Sequence, residues 1–308
     1  MPRGDLTPAK GPVTRLEGET MGTYWKVSLV GAVPSGLDRR IQALLDDLVR
    51  QMSQWEADSE ISAYNRSPAG AWTPISADFA EVVRCALDLA ALTGGAFDPA
   101  LGAAVDAWGF GAPPADGAPA DGGGWRDVVL GPQGLFQPGG VRLDLSGIAK
   151  GFAVDKTATL LAALGVPAFL VEIGGELRGR GLKADGSPWW AQIEPPRDGC
   201  RETIVVALPG WAVATSGDYR RRVERDGRVY SHTFDPSARA PLADPPASVS
   251  VLATDCMRAD AWATALTVLG EARGLALADA QDLPALFLLD RGDRVEARAS
   301  AAWSRLWA

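Results

Sequence analysis

His232 is the one histidine among 308 residues, and it precedes a Phe-Asp-Pro bend by two positions in a stretch rich in arginine. A lone imidazole is either satisfied by its surroundings or serves as a general base. Neighbouring positive charge favours the neutral ring that proton abstraction requires. Asp260 and Thr264 present a carboxylate and a hydroxyl four residues apart, on one face of an expected helix. Such hard oxygens suit Mg²⁺ completed by water and substrate phosphates, with a helix-face hydrogen bond as the plainer alternative. Lys150 follows Ser146-Gly147 in the first turn of another expected helix, at the wrong pole of the macrodipole. With the open N–H groups of a helix start it makes an anion site, or else a solvated surface lysine. Asp144 lies between Leu143 and Leu145, where a buried carboxylate needs a donor network or a ligand hydroxyl.

These groups need elements to hold them. Val141, Leu143 and Leu145 alternate with Arg142 and Asp144, which predicts a strand broken by Ser146-Gly147. Ile148, Phe152, Val154, Leu160, Leu161 and Leu164 then follow helical spacing, with Gly165 as the stop. Earlier, a strand is expected over 23–30 after Met21-Gly22, and a helix over 37–52 with Ile41, Leu44, Leu45 and Leu48 on one face. A polar turn region ends at Asn65, and a second helix over 77–92 is capped by Ser76 and stopped by Gly94-Gly95. Strands are expected at 169–173, 190–193, 203–208 and 249–252, helical stretches at 259–269 and 271–280, and a last strand near 286–289. Asp226-Gly227 signals a two-residue hairpin that pairs Arg225 with Arg228 and sets His232 opposite Arg221. Gly174-Gly175 and Ser216-Gly217-Asp218 are close-approach sites or simple turns. Trp55 can stack on a planar ligand or join the core.

Composition limits the function classes. A content of 47% hydrophobic and 22% charged residues is that of an ordinary globular protein. The net charge of −8, with Arg220–Arg222 the one basic cluster, argues against nucleic acid as a partner. Cys85, Cys200 and Cys256 are far apart, without metal-ligand spacing or a disulfide framework. No run is long enough for a transmembrane segment, and the N-terminus lacks an apolar signal core. The expected location is cytoplasmic, or periplasmic if a signal has been removed. Residues 1–12 are expected to be disordered and 13–308 to form one domain. The Ala/Pro/Gly/Asp-rich loop 112–124 is a flexible boundary between two lobes, if lobes exist.

Taken in order, the short motifs resemble the FAD:protein FMN transferase family, the ApbE-type flavin transferases. The matching stretches are M-G-T-Y from Met21, S-Q-W-E-A-D-S-E-I-S-A-Y-N from Ser53, F-D-P-A-L-G from Phe97 and W-G-F-G from Trp108. They continue with L-D-L-S-G-I-A-K-G from Leu143, I-G-G-E from Ile173, A-T-S-G-D-Y from Ala214 and Y-S-H-T-F-D-P from Tyr230. S-V-S-V from Ser248 and A-D-A-W-A-T-A from Ala259 complete a collinear series over most of the chain.

The resemblance implies a mixed α/β fold of the T-fold-like kind, with mixed sheets flanked by helices. It also implies Mg²⁺-dependent cleavage of FAD, with FMN passing to a threonine hydroxyl of an acceptor protein of the redox-pump or respiratory-subunit type and AMP leaving. Position by position, Met21, Trp55, Ala96, Phe97, Asp98, Asp144, Lys150 and Phe234 match FAD contacts. Gly147 (through its carbonyl), Asp260 and Thr264 match the Mg²⁺ ligands, and His232 matches the proposed base. Trp55 stands where many members carry tyrosine; stacking survives that change and a phenolic hydrogen bond does not. The rival readings are an FAD pyrophosphatase that releases FMN and AMP, and a carrier that keeps FAD intact.

Overall fold

The computed structural model describes residues 6–111, 123–196, 204–217, 222–225, 228–292 and 294–306. Its frame is an eight-stranded sheet in which spatial order follows chain order. The strands are β1 (Val13–Thr20), β2 (Thr23–Val30), β3 (Phe169–Ile173), β4 (Glu176–Arg180), β5 (Ala212–Gly217), β6 (Ser248–Ala253), β7 (Ala285–Asp290) and β8 (Val295–Ala299). Each neighbouring pair is antiparallel. The class is mixed α/β, and its sheets, expected to be mixed, are antiparallel in every strand ladder among the described residues.

The helices are α1 (Leu37–Met52), α2 (Glu60–Arg66), α3 (Ala77–Leu92), α4 (Gly102–Ala107), α5 (Ala149–Ala163), α6 (Cys256–Ala280) and α7 (Ala301–Leu306). The larger core joins α1, α3, α5 and α6 to one face of the sheet. The hairpin of Trp190–Ile193 with Ile204–Ala207, together with α7, packs on the other. Strand β7 shows why its sequence is apolar from Ala285 to Leu289. Ala285, Phe287 and Leu289 enter the first core, while Leu286 and Leu288 enter the second.

Local signals place several elements where the sequence expects them. Helices α1 and α3 keep their expected bounds, and Ser76 accepts a hydrogen bond from Phe79 N as the cap of α3. Gly270, at φ 72, interrupts α6 between the two expected helical stretches, although α6 begins earlier, at Cys256 behind the capping Asp255. The Asp226-Gly227 turn and Arg221 lie outside the described residues, as do residues 112–122 and Cys200. The flanking strands do pair Arg225 with Arg228.

The structure departs from the sequence expectations at several points. Strand β1 was not anticipated; it pairs with β2 across a two-residue turn in which Met21 and Gly22 both have positive φ. The turn region before Asn65 contains α2, capped by Ser59 and burying Ile61 and Tyr64. Strand β7 is not the last element, since β8 and α7 follow it. Residues 141–145 show the expected alternation of burial, yet they belong to no strand ladder. Side chains replace the missing partner: Asn65 donates to Leu143 O at 3.0 Å and accepts from Leu143 N at 2.7 Å, and Gln137 does the same for Val141. The segment expected to be disordered before residue 13 is described from Leu6, where Pro8 bridges Leu182 and Ala9 is buried.

Candidate active site

The site is built where α5 and α6 cross. Three positions on each side, four residues apart, meet in antiparallel sequence: Gly147 with Thr264, Gly151 with Asp260, and Asp155 with Cys256. A Cβ added at Gly147 would lie 2.7 Å from Thr264 Oγ1, and one at Gly151 would lie 2.9 Å from Asp260 Cβ and collide with Cys256 O. Glycine at both positions is therefore a packing requirement of the crossing. Hydrogen bonds lock it in both directions. Asp260 Oδ2 accepts from Gly151 N at 3.0 Å, in the first turn of α5. Asp155 of α5 accepts from Cys256 N and Met257 N, at 3.0 and 2.9 Å, in the first turn of α6. Each helix start thus receives a carboxylate from the other, which takes one N–H of the first turn of α5 and two of α6. Arg178 of β4 pairs with Asp155 at 2.5 Å.

Lys150 lies in the first turn of α5 and donates to Glu176 Oε1 at the start of β4. Glu176 and Asp260 are both buried. Burial pushes the Glu176 carboxyl up to about 7, with Lys150 pulling it down and Asp260 raising it further. Burial likewise raises Asp260, against the pull of Lys150 and the Gly151 N–H. Two buried carboxylates around one ammonium leave a surplus of negative charge, which a further cation would offset. The donors at the crossing suit Mg²⁺: the Asp260 carboxylate, the Thr264 hydroxyl and the Gly147 carbonyl are hard oxygens in a space that a Cβ at Gly147 would close. Ser216 of β5 lies 3.2 Å from Thr264 Oγ1 and adds another hydroxyl. Among the described residues no group of three His, Cys, Asp or Glu side chains has a metal-binding arrangement, so such an ion would depend on oxygens of other kinds.

Three residues before Gly147, Asp144 Oδ1 accepts from Ser146 N at 2.8 Å, which shapes the turn into α5. Asp144 N donates to Pro99 O, tying this segment to Phe97-Asp98. Phe97 is buried and donates its N–H to Thr93, while Ala96 and Asp98 are half-buried. Burial raises the Asp98 carboxyl; the N–H groups of Ala100 and Trp125 and the charge of Arg239 oppose it. Phe234 is buried edge-on to Phe110, at 5.8 Å between ring centres, beside Leu101, Ala104 and Val105 of the α4 region. Trp108 meets Tyr230 edge-on at 5.1 Å, so the W-G-F-G stretch packs against the segment carrying His232. His232 is half-buried two residues before Phe234, in a segment held by the hydrogen bond from Leu242 N to Thr233 O.

The structure thus brings Gly147, Asp260 and Thr264 together, with Lys150 a turn away, and links Asp144 to the Phe97-Asp98 segment. It leaves Met21 and Trp55 outside these contacts: Met21 packs half-buried on the main core at the β1–β2 turn, and Trp55 is 55% exposed. Residue-by-residue reading missed Glu176, Asp155 and Asn65, and gave Ser216 only as part of a turn or close-approach site. Glu176 ends I-G-G-E, Asn65 ends the stretch from Ser53 and Ser216 lies in A-T-S-G-D-Y, so the motifs already contained three of them.

A family model described as the ApbE family matches residues 21–287. The chain is 38% identical over 304 residues to the FAD:protein FMN transferase of Vibrio cholerae, covering 94% of this chain and 91% of that one. Against the Haemophilus influenzae protein of the same name the identity is 34% over 320 residues, covering 96% and 91%. Among solved structures, the flavin transferase ApbE from Vibrio cholerae matches with a TM-score of 0.85 at 35% identity, covering 96% of this chain and 99% of that one. The apo form of the Pseudomonas stutzeri flavinyl transferase ApbE gives 0.87 at 36% identity, covering 98% of each.

Proposed function

This chain belongs to the ApbE family, and we propose on that footing that it moves the FMN moiety of FAD to a threonine hydroxyl of a partner protein, with Mg²⁺ required and AMP released. It is a transferase acting on FAD. The observation that carries the finer reading is the α5–α6 crossing. There a lysine-bearing helix start and the oxygens of α6 meet in a chain whose relatives act on a dinucleotide diphosphate.

Phosphoryl-type transfer asks a protein mainly for positioning and charge neutralisation. Lys150 and the N-terminus of α5 hold the diphosphate of FAD, a role in which the lysine's unfavourable place on the dipole is offset by the ligand's charge. Gly147, Asp260 and Thr264 would hold Mg²⁺, which when bound supplies charge neutralisation at phosphate oxygens. Asp144 and Asp98 accept hydrogen bonds from sugar or base donors. Phe97, Phe234 and Ala96 supply the apolar walls, and Met21 and Trp55 meet a ring at the open side. His232 takes the proton from the threonine hydroxyl as its oxygen bonds to the FMN phosphorus and the bond to the AMP oxygen breaks. Such proton transfer typically contributes roughly 10²–10⁴-fold.

The test is incubation with FAD, Mg²⁺ and a threonine-bearing acceptor domain, followed by intact mass. The expected result is an acceptor heavier by one FMN unit, with AMP released in equal amount. Free FMN and AMP without modified acceptor would support a pyrophosphatase instead. FAD surviving intact would support a carrier.

A further inference from the structure

We propose that Glu176 is a positioning residue for Lys150: its buried carboxylate fixes the ammonium at the start of α5 in the place where the diphosphate of FAD is bound. The inference rests on the diphosphate reading above and adds a residue to it. Glu176 is 2% exposed, and its Oε1 accepts from Lys150 Nζ. Its Oε2 is buried with no hydrogen-bond partner. Leaving a buried carboxylate oxygen unsatisfied is costly, and an ion pair of this kind is seldom retained for stability alone.

The backbone around Glu176 is as constrained as the side chain. Ile173 pairs with Glu176 across the Gly174-Gly175 turn, and both glycines have positive φ. A Cβ at Gly174 would lie 2.8 Å from Thr23 Cγ2, so the turn is wedged against the start of β2. Glu176 therefore comes from a rigid strand end. Lys150, by contrast, has a flexible four-carbon stem and an unfavourable place on the helix dipole, so without a tether its charge would drift from the helix tip. A fixed carboxylate removes that freedom before the ligand arrives, which lowers the ordering cost of binding.

The experiment is an FAD titration by flavin fluorescence, with EDTA present to prevent turnover, on wild type, Glu176→Gln, Lys150→Met and the double variant. Riboflavin, which has no phosphate, is titrated in parallel. Glu176→Gln is expected to weaken FAD about tenfold and riboflavin less than twofold, and to have no further effect in the Lys150→Met background. Equal weakening of FAD and riboflavin, unchanged FAD affinity, or additive loss in the double variant would overturn the inference, because a merely structural carboxylate behaves in one of those ways. If Glu176→Gln does not fold, Glu176→Asp keeps the charge, withdraws the oxygens by one carbon and carries the same comparison. Unchanged FAD affinity in Lys150→Met alone would instead remove the diphosphate reading, and this inference with it.

Discussion

The α5–α6 crossing and the aromatic rim hold their residues by different means. At the crossing, every group is fixed by the main chain or by a buried charge: glycines at 147 and 151 let the helices touch, and Asp155 and Asp260 each accept from the other helix's first turn. At the rim, Phe234, Phe110, Trp108 and Tyr230 meet through ring edges, while Trp55, outside these ring contacts, is more than half exposed. Close packing with directional bonds has few alternative arrangements, whereas ring contacts can slide. The crossing is thus suited to the part of the reaction that every substrate shares, the diphosphate. The rim is suited to the part that varies, the acceptor, which must arrive and leave. Substitutions at the crossing should cost stability and chemistry together, and substitutions at the rim should separate them.

His232→Ala should give the largest effect and belongs wholly to the rim. Transfer, followed as covalent flavin fluorescence on a denaturing gel, should fall by roughly 10²–10⁴-fold while FAD affinity stays the same. Equal transfer by mutant and wild type would remove His232 as the base. Asp260→Ala should come next, raising the Mg²⁺ concentration for half-maximal rate by at least the roughly 10–100-fold that loss of an outer-shell partner costs. An unchanged Mg²⁺ titration would contradict the ligand assignment.

Gly151→Ala sharpens the contrast by adding one carbon at the crossing. Forcing the helices apart should cost about 1–3 kcal/mol, read as a lowered Tm together with a lowered rate. A wild-type Tm would show that the helices can part without strain. Smallest is Trp55→Ala, where loss of stacking worth about 0.5–1.5 kcal/mol should weaken FAD several-fold and leave Tm unchanged. A drop in Tm would mean that the ring belongs to the core.

Much of this contrast was legible in the sequence, and what was hidden has a physical reason. Helices α1 and α3 were found because amphipathic spacing and caps such as Ser76 act within a few residues. The i, i+4 pair Asp260 and Thr264 was visible for the same reason. That Gly147, in the turn before α5, and Gly151, within it, supply the matching spacing depends on an antiparallel crossing between residues more than a hundred positions apart. The alternation in 141–145 was genuine, but its partner is a pair of side-chain amides, Asn65 and Gln137, which no strand pattern announces. Helix α2 was hidden in a polar stretch whose apolar Ile61 and Tyr64 are too few to set a period. Strand β1 has a local signal of its own, since a two-residue Met21-Gly22 turn needs a strand on each side.

The most direct measurement is a crystal structure of the protein with FAD and Mg²⁺, prepared with His232→Ala so that the substrate survives. The account predicts the diphosphate between Lys150 and a cation bound by Asp260, Thr264 and the Gly147 carbonyl, with residue 232 facing the FMN phosphorus. A diphosphate bound away from the start of α5, or a cation bound elsewhere, would contradict it.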